Sequence, residues 1–138
     1  MVDVAKMFET LNTAVMASDT NFKIIYANDK CREMFKRSSN IENLVGTDMR
    51  DCHKPETIET LKTLYHEFSE KKKKLHYYTK DIPDDKLTIV SVPFYDGDNL
   101  SGVVEFIFES SLEGKADRVG PRELYEITNL GVKSTIDL

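Results

Sequence analysis

The sequence predicts an α+β domain, and three features carry that prediction. Two apolar runs, residues 14–18 and 22–27, are split by the turn-forming Asp19-Thr20-Asn21, the pattern of a β-hairpin. Ile58, Leu61, Leu64, Tyr65 and Phe68 recur at helical spacing after Pro55. Three strand-like segments then occupy residues 75–109, so strands and helices come in groups rather than in regular alternation.

Taken in order, Val4, Met7, Phe8 and Leu11 form an i, i+3, i+4, i+7 stripe, which predicts a short amphipathic helix over residues 3–11. The hairpin follows. Asn28 ends its second strand and is placed to cap a helix starting at Asp29, its side-chain oxygen accepting a free backbone N–H. That helix buries Cys31, Met34 and Phe35 and ends in Arg37-Ser38-Ser39-Asn40. Residues 41–54 are irregular, anchored by Leu44, Val45 and Met49, with Gly46 free to take a positive φ. Pro55 suits the first turn of the next helix. The four lysines at 71–74 close that helix and read as a solvated end that satisfies its dipole.

The first of the three strands spans 75–80 and is rich in Tyr77, Tyr78 and Thr79. The second, 86–95, alternates Leu87, Ile89, Ser91 and Pro93 against Thr88, Val90, Val92 and Phe94. Pro93 cannot donate to a ladder, so it is expected at an edge or a bulge. Asp96-Gly97-Asp98-Asn99 turns the chain into the third strand, 100–109, which carries Val103, Val104, Phe106, Ile107 and Phe108. Residues 1–110 are thus expected to form one domain. Residues 111–138 read as a C-terminal tail with one short helix over 122–130 at most.

Composition removes several function classes. A chain of 138 residues with 40% apolar residues can build one core without metal or disulfides. Its 19 basic against 24 acidic side chains give a net charge of −5, which argues against nucleic acid or an anionic membrane as partner. No apolar run approaches the roughly 18 residues of a membrane span, and the first residues lack the layout of a signal peptide. Cys31 and Cys52 cannot make a disulfide framework and suit a cytoplasmic protein. There is no Cys-x-x-Cys, no His-Glu-x-x-His and no glycine-rich phosphate loop. No nucleophile, base and orienting group stand out together, so the chain is not expected to be an enzyme.

Against that background the order of elements resembles a PAS domain. Ala14-Val15-Met16-Ala17-Ser18-Asp19 is similar to the family's opening strand and acidic turn. Ile24-Ile25-Tyr26-Ala27-Asn28-Asp29 resembles its strand–Asn–helix junction, and Leu44-Val45-Gly46-Thr47-Asp48 its apolar–apolar–Gly step. Gly102 falls early in the last strand, as in many members. The resemblance covers residues 4–110 and implies a five-stranded antiparallel sheet, order 2-1-5-4-3, with helices packed on one face. A narrower similarity links Gly46-Thr47-Asp48-Met49-Arg50-Asp51-Cys52-His53-Lys54-Pro55 to PAS modules found beside hemerythrin-like domains in bacteria.

The resemblance implies a sensor that binds a small cofactor or apolar ligand in its core, with haem as the leading single candidate. His53, beside Cys52 at the start of the cavity-bordering helix, is the first candidate for the haem iron; equally, it caps the helix while Cys52 fills space. His66 is the rival, because oxygen-sensing haem members carry a histidine within this helix. At about 100° per residue from Ile58, the apolar stripe falls at roughly 240–340° and His66 near 80°, so His66 is expected in solvent. Ile25, Phe35, Ile58, Leu61, Tyr65, Val90, Val92 and Val104 are expected to surround the cavity, or to form an ordinary filled core. The alternative function is a ligand-free interaction module, a homodimer paired through the N-terminal helix. Only 28 residues follow Ser110, too few for an output domain, so output is expected through a partner protein or self-association.

Overall fold

The computed structural model describes residues 1–39, 43–83 and 85–109. Its framework is a hairpin of β1 (Ala14–Asp19) and β2 (Ile24–Ala27), as the two apolar runs predict. The Asp19 carboxylate holds the turn by accepting from the backbone N–H groups of Asn21 at 2.9 Å and Lys23 at 3.0 Å. Phe22 takes φ +65°, which for a bulky residue costs roughly 1–2 kcal/mol. Burial offsets that strain, because its ring lies 4.5 Å from that of Tyr65, tilted by 31°, and the Arg50 guanidinium sits over it 5.2 Å from the centroid.

The short helix α1 (Val4–Glu9) precedes the hairpin; Asp3 caps it, and Thr10 closes it two residues short of Leu11, where the apolar stripe ends. Helix α2 (Asp29–Ser39) follows β2, and a 3-10 turn (Met49–Cys52) leads into α3 (Pro55–Ser69). The Gly46 step adopts φ +95° and is stitched to β2: Ile24 N–H donates to Thr47 O, and Gly46 N–H to Ile24 O. Pro55 sits in the first turn of α3, and Leu64, Tyr65 and Phe68 are its buried residues. The lysine run closes the helix as expected. Lys71, Lys72 and Lys73 pair with Asp98, Glu70 and Glu67.

Strands β3 (His76–Ile82), β4 (Asp85–Asp96) and β5 (Asn99–Glu109) complete an antiparallel sheet in the order β2-β1-β5-β4-β3. Gly97, at φ +60°, makes the tight turn between β4 and β5, where Asp96 pairs with Asn99. Pro93 lies past the end of β3, whose pairing with β4 stops at Ser91, so it is at an edge on that side, while on the other it pairs with Val103 of β5.

Register divides the sheet into two faces, since Cα partners point the same way. Met16, Glu105, Ser91 and His76 share one rung; Ala14, Ile107, Ile89 and Tyr78 share the next on the same face. This inner face packs against the helices: Ala14, Met16, Ile89, Val103 and Ile107 join Cys31, Leu44, Leu64 and Phe68 in one buried cluster. Val15, Phe106, Val90 and Tyr77 form a rung of the opposite face, as do Ala17, Val104 and Val92. The tail 111–138 and its expected helix lie outside the described residues.

Candidate functional site

The site lies between the inner face and helices α2 and α3. Asn28 sets the approach of α2: its Oδ1 accepts from Val15 N–H at 2.9 Å and Cys31 N–H at 3.0 Å, which caps the helix. Its Nδ2 donates to the carbonyls of Phe8 at 2.9 Å and Thr13 at 2.8 Å. Cys31 is consequently fixed in the interior, where burial pushes its thiol up to about 12 and leaves it inert as a nucleophile. From α3, Tyr65 brings its hydroxyl 2.5 Å from Ser18 Oγ and 3.3 Å from the Met49 sulfur. Burial pushes that hydroxyl up to about 12 as well.

Glu105 stands among these groups at the centre of β5. Its lateral partners are Met16 and Ser91, and its charge is felt at Cys31, Tyr65 and Tyr78. Burial alone pushes its carboxyl up to about 7. Yet the side chain keeps some accessible surface. Among the described residues no hydrogen bond or ion pair reaches it. A charged residue inside the apolar run Val103 to Phe108, in phase with Val103 and Ile107, is a signal the sequence carries, and sequence reasoning missed it.

His53 follows the 3-10 turn and is half-buried. Its Nδ1 is buried with no hydrogen-bond partner. Burial lowers its pKa, the Met49 backbone opposes, and Lys80 adds to the lowering, so the imidazole is held neutral. The side chain of Cys52 lies outside the described ones. His66 points to solvent as expected: its side chain is 70% exposed and Nε2 lies 2.7 Å from Glu70 Oε1. Phe35 and Leu61 pack on the margin of the buried cluster, Ile58 is half-buried three residues before Leu61, and Tyr65 is inside.

The other four expected cavity residues do not face the helices. Val90, Val92 and Val104 belong to the outer face, because the buried positions of β4 are Ile89 and Ser91 and the side-chain period is two. Ile25 is 46% exposed. The irregularity between Ala17 and Ser18 pairs Ser18 with Ile24 and leaves Ile25 as the bulged, outward residue. No cluster of three or more metal-ligating side chains exists among the described residues, and no helix among them is long and apolar enough to cross a membrane.

Sheet order and helix placement are those of a sensory α+β module, and the comparisons agree. The PAS domain family matches residues 4–110, and the chain belongs to it. None of the curated proteins compared with the chain matches it. Among solved structures, it is similar to a C-terminal domain from Streptococcus mutans at TM-score 0.63 and 15% identity, covering 79% of this chain and 84% of that one. It is also similar to a sensory box sensor histidine kinase from Vibrio cholerae, at TM-score 0.53 and 11% identity, over 77% and 87% of the two chains. The Aer2 receptor of Vibrio cholerae, a dual PAS-heme oxygen sensor, matches at TM-score 0.51 and 11% identity, over 71% and 94%. At these identities the likeness is one of fold.

Proposed function

We propose that this PAS domain is a cytoplasmic, non-catalytic sensor that takes a small, largely apolar ligand between its inner sheet face and helices α2 and α3. One observation carries the reading: Glu105 and His53 Nδ1 are polar groups in the interior that the described protein leaves without partners. Buried polar groups are ordinarily satisfied, and an unsatisfied one costs about 1–3 kcal/mol. A bound molecule is the usual reason to retain such groups at the wall of an apolar site. Ligand uptake would favour one arrangement of α3 and the sheet over another, with differential affinity supplying the signal. Residues 1–110 form the sensing unit in this reading, and a partner protein or a second copy receives the signal. Native mass spectrometry of the purified chain tests it. A retained small molecule lost on denaturation is expected; a chain that is ligand-free and unshifted in melting by every probe class described below would overturn it.

Haem is a second reading, favoured by His53. A neutral, half-buried imidazole is the form that ligates iron, and His53 has both attributes. Haem would supply an iron able to bind a diatomic gas or change oxidation state. His53 would hold it, while His66, paired with Glu70 in solvent, would not. Titration with hemin should give a Soret band that His53→Ala weakens and His66→Ala leaves alone. The absence of a band, or one indifferent to His53→Ala, excludes this reading.

A further inference from the structure

We propose that the site around Glu105 takes a small organic cation, its ammonium group on the Glu105 carboxylate and its apolar body against Tyr65 and Tyr78. The inference rests on the reading that this domain takes a ligand between sheet and helices, and it names that ligand's chemical class.

The argument begins with what surrounds the carboxylate. On its own rung Glu105 meets Met16 of β1 and Ser91 of β4, neither of which is charged. The ionisable groups that feel it are Cys31 of α2, Tyr65 of α3 and Tyr78 of β3. All three can only become negative. His76 of β3 lies on the same rung, beyond Ser91, and burial, with Lys73 adding to the effect, keeps it neutral. Among the described residues no positive charge acts on Glu105; Lys80, two residues beyond Tyr78 on β3, acts on His53 instead. Without a ligand, the carboxyl meets its burial by keeping a proton, as its rise to about 7 indicates.

An ammonium ion resolves this better than other ligand classes. It replaces the proton, which leaves for solvent, and forms a charge-assisted hydrogen bond with the freed carboxylate. Tyrosine rings attract a cation through their faces, and the two tyrosines whose hydroxyls feel the Glu105 charge are Tyr65, buried on α3, and Tyr78, 41% exposed on β3. An anionic ligand would meet the acid as a like charge. A neutral alcohol would leave the carboxyl protonated and gain only the apolar contacts.

Benzylammonium is the probe, titrated calorimetrically into the whole chain beside benzyl alcohol, benzoate and hemin. Saturable binding at least ten-fold tighter than that of benzyl alcohol is expected, with benzoate weakest. Glu105→Gln, close in shape and relieved of a buried charge, should weaken benzylammonium at least ten-fold and leave benzyl alcohol unchanged. On the parent chain alone, affinity for benzylammonium should rise about ten-fold from pH 6 to pH 8 as Glu105 gives up its proton. The proposal is overturned if benzylammonium fails to bind, binds no better than benzyl alcohol, or is indifferent both to pH and to Glu105→Gln. Binding of the alcohol, benzoate or hemin without benzylammonium would sink the cation and keep the ligand-taking reading. Silence from all four would sink both.

Discussion

At Asn28 a buried amide uses all four of its hydrogen-bonding capacities, whereas Glu105, in the same layer, has no partner among the described residues. The two positions therefore respond to charge in opposite ways. Asn28→Asp would replace two donors by an acceptor facing the Phe8 and Thr13 carbonyls, and should destabilise the fold by roughly 2–4 kcal/mol in urea at neutral pH. Protonating the new acid restores one donor, so part of the loss should return as pH falls; a pH-independent deficit would count against this account. Glu105 already bears such a penalty. Its folded pKa lies above the unfolded carboxyl value of about 4.5, so the folded state holds a proton that the unfolded state has lost between about pH 4.5 and 7. Stability should fall as pH rises through that window. The depressed His53 and His76 act the other way below their ordinary 6.5, so the informative quantity is the difference between parent and Glu105→Gln. That difference should grow in favour of Gln from pH 5 to pH 8, by up to about 3 kcal/mol. A flat difference would place Glu105 in ordinary solvent. The capping half of Asn28 was legible from its place between a strand and Asp29; the half that ties down α1 was not, because nothing local marks which carbonyls return to it.

Elements were more legible than their orientations. The hairpin, the helix after Pro55 and the Gly97 turn follow from apolar spacing and turn chemistry, and each is found at the expected place to within a few residues. Which side of a strand faces the helices is a tertiary matter. Strand β4 is apolar on both sides, Leu87 and Ile89 on one and Val90 and Val92 on the other, so alternation gave no sign of which is inward. The bulge at Ala17 and Ser18 turned Ile25 outward for the same reason, since a one-residue slip reverses a strand's faces. Gly102 shows the opposite case, a single residue whose role the pairing explains. A Cβ there would lie 2.1 Å from the Ser18 carbonyl oxygen and 2.8 Å from the Phe94 ring, so β1 and β5 can approach only because it is missing. Gly102→Ala should cost about 1–3 kcal/mol and lower the melting temperature, whereas Gly97→Ala at the exposed turn meets no atoms and loses only its left-handed preference. Equal melting of the parent and Gly102→Ala would mean the strands are not as close as described.

At the scale of the molecule, the outer sheet face is the feature that a single copy leaves least complete. Val15 and Ala17 are buried on it, but Val90, Val92, Val104 and Phe106 are only half-buried, and Phe108 and Tyr77 are 38% and 45% exposed. Helix α1 contributes Val4 at 63% and Met7 at 44% exposure, and has no buried residue of its own. Its attachment is polar: Tyr26 Oη donates to Glu9 at 3.0 Å, Arg32 pairs with Glu9, and Asn28 holds the Phe8 carbonyl. A helix fixed by its polar end with apolar side chains left outward is positioned to meet a second copy, and exposed apolar patches of this kind mark interaction surfaces. A pair formed there would leave the Glu105 site on the far side of each sheet, so ligand uptake and pairing would communicate through the strands that separate them. Sedimentation velocity of the intact chain over a wide concentration range should therefore show dimers. Met7→Glu combined with Phe8→Glu should shift the population to monomer with an unchanged circular dichroism spectrum. A parent that stays monomeric at every concentration would assign α1 and the outer face to a different protein as partner, and would defeat the homodimer.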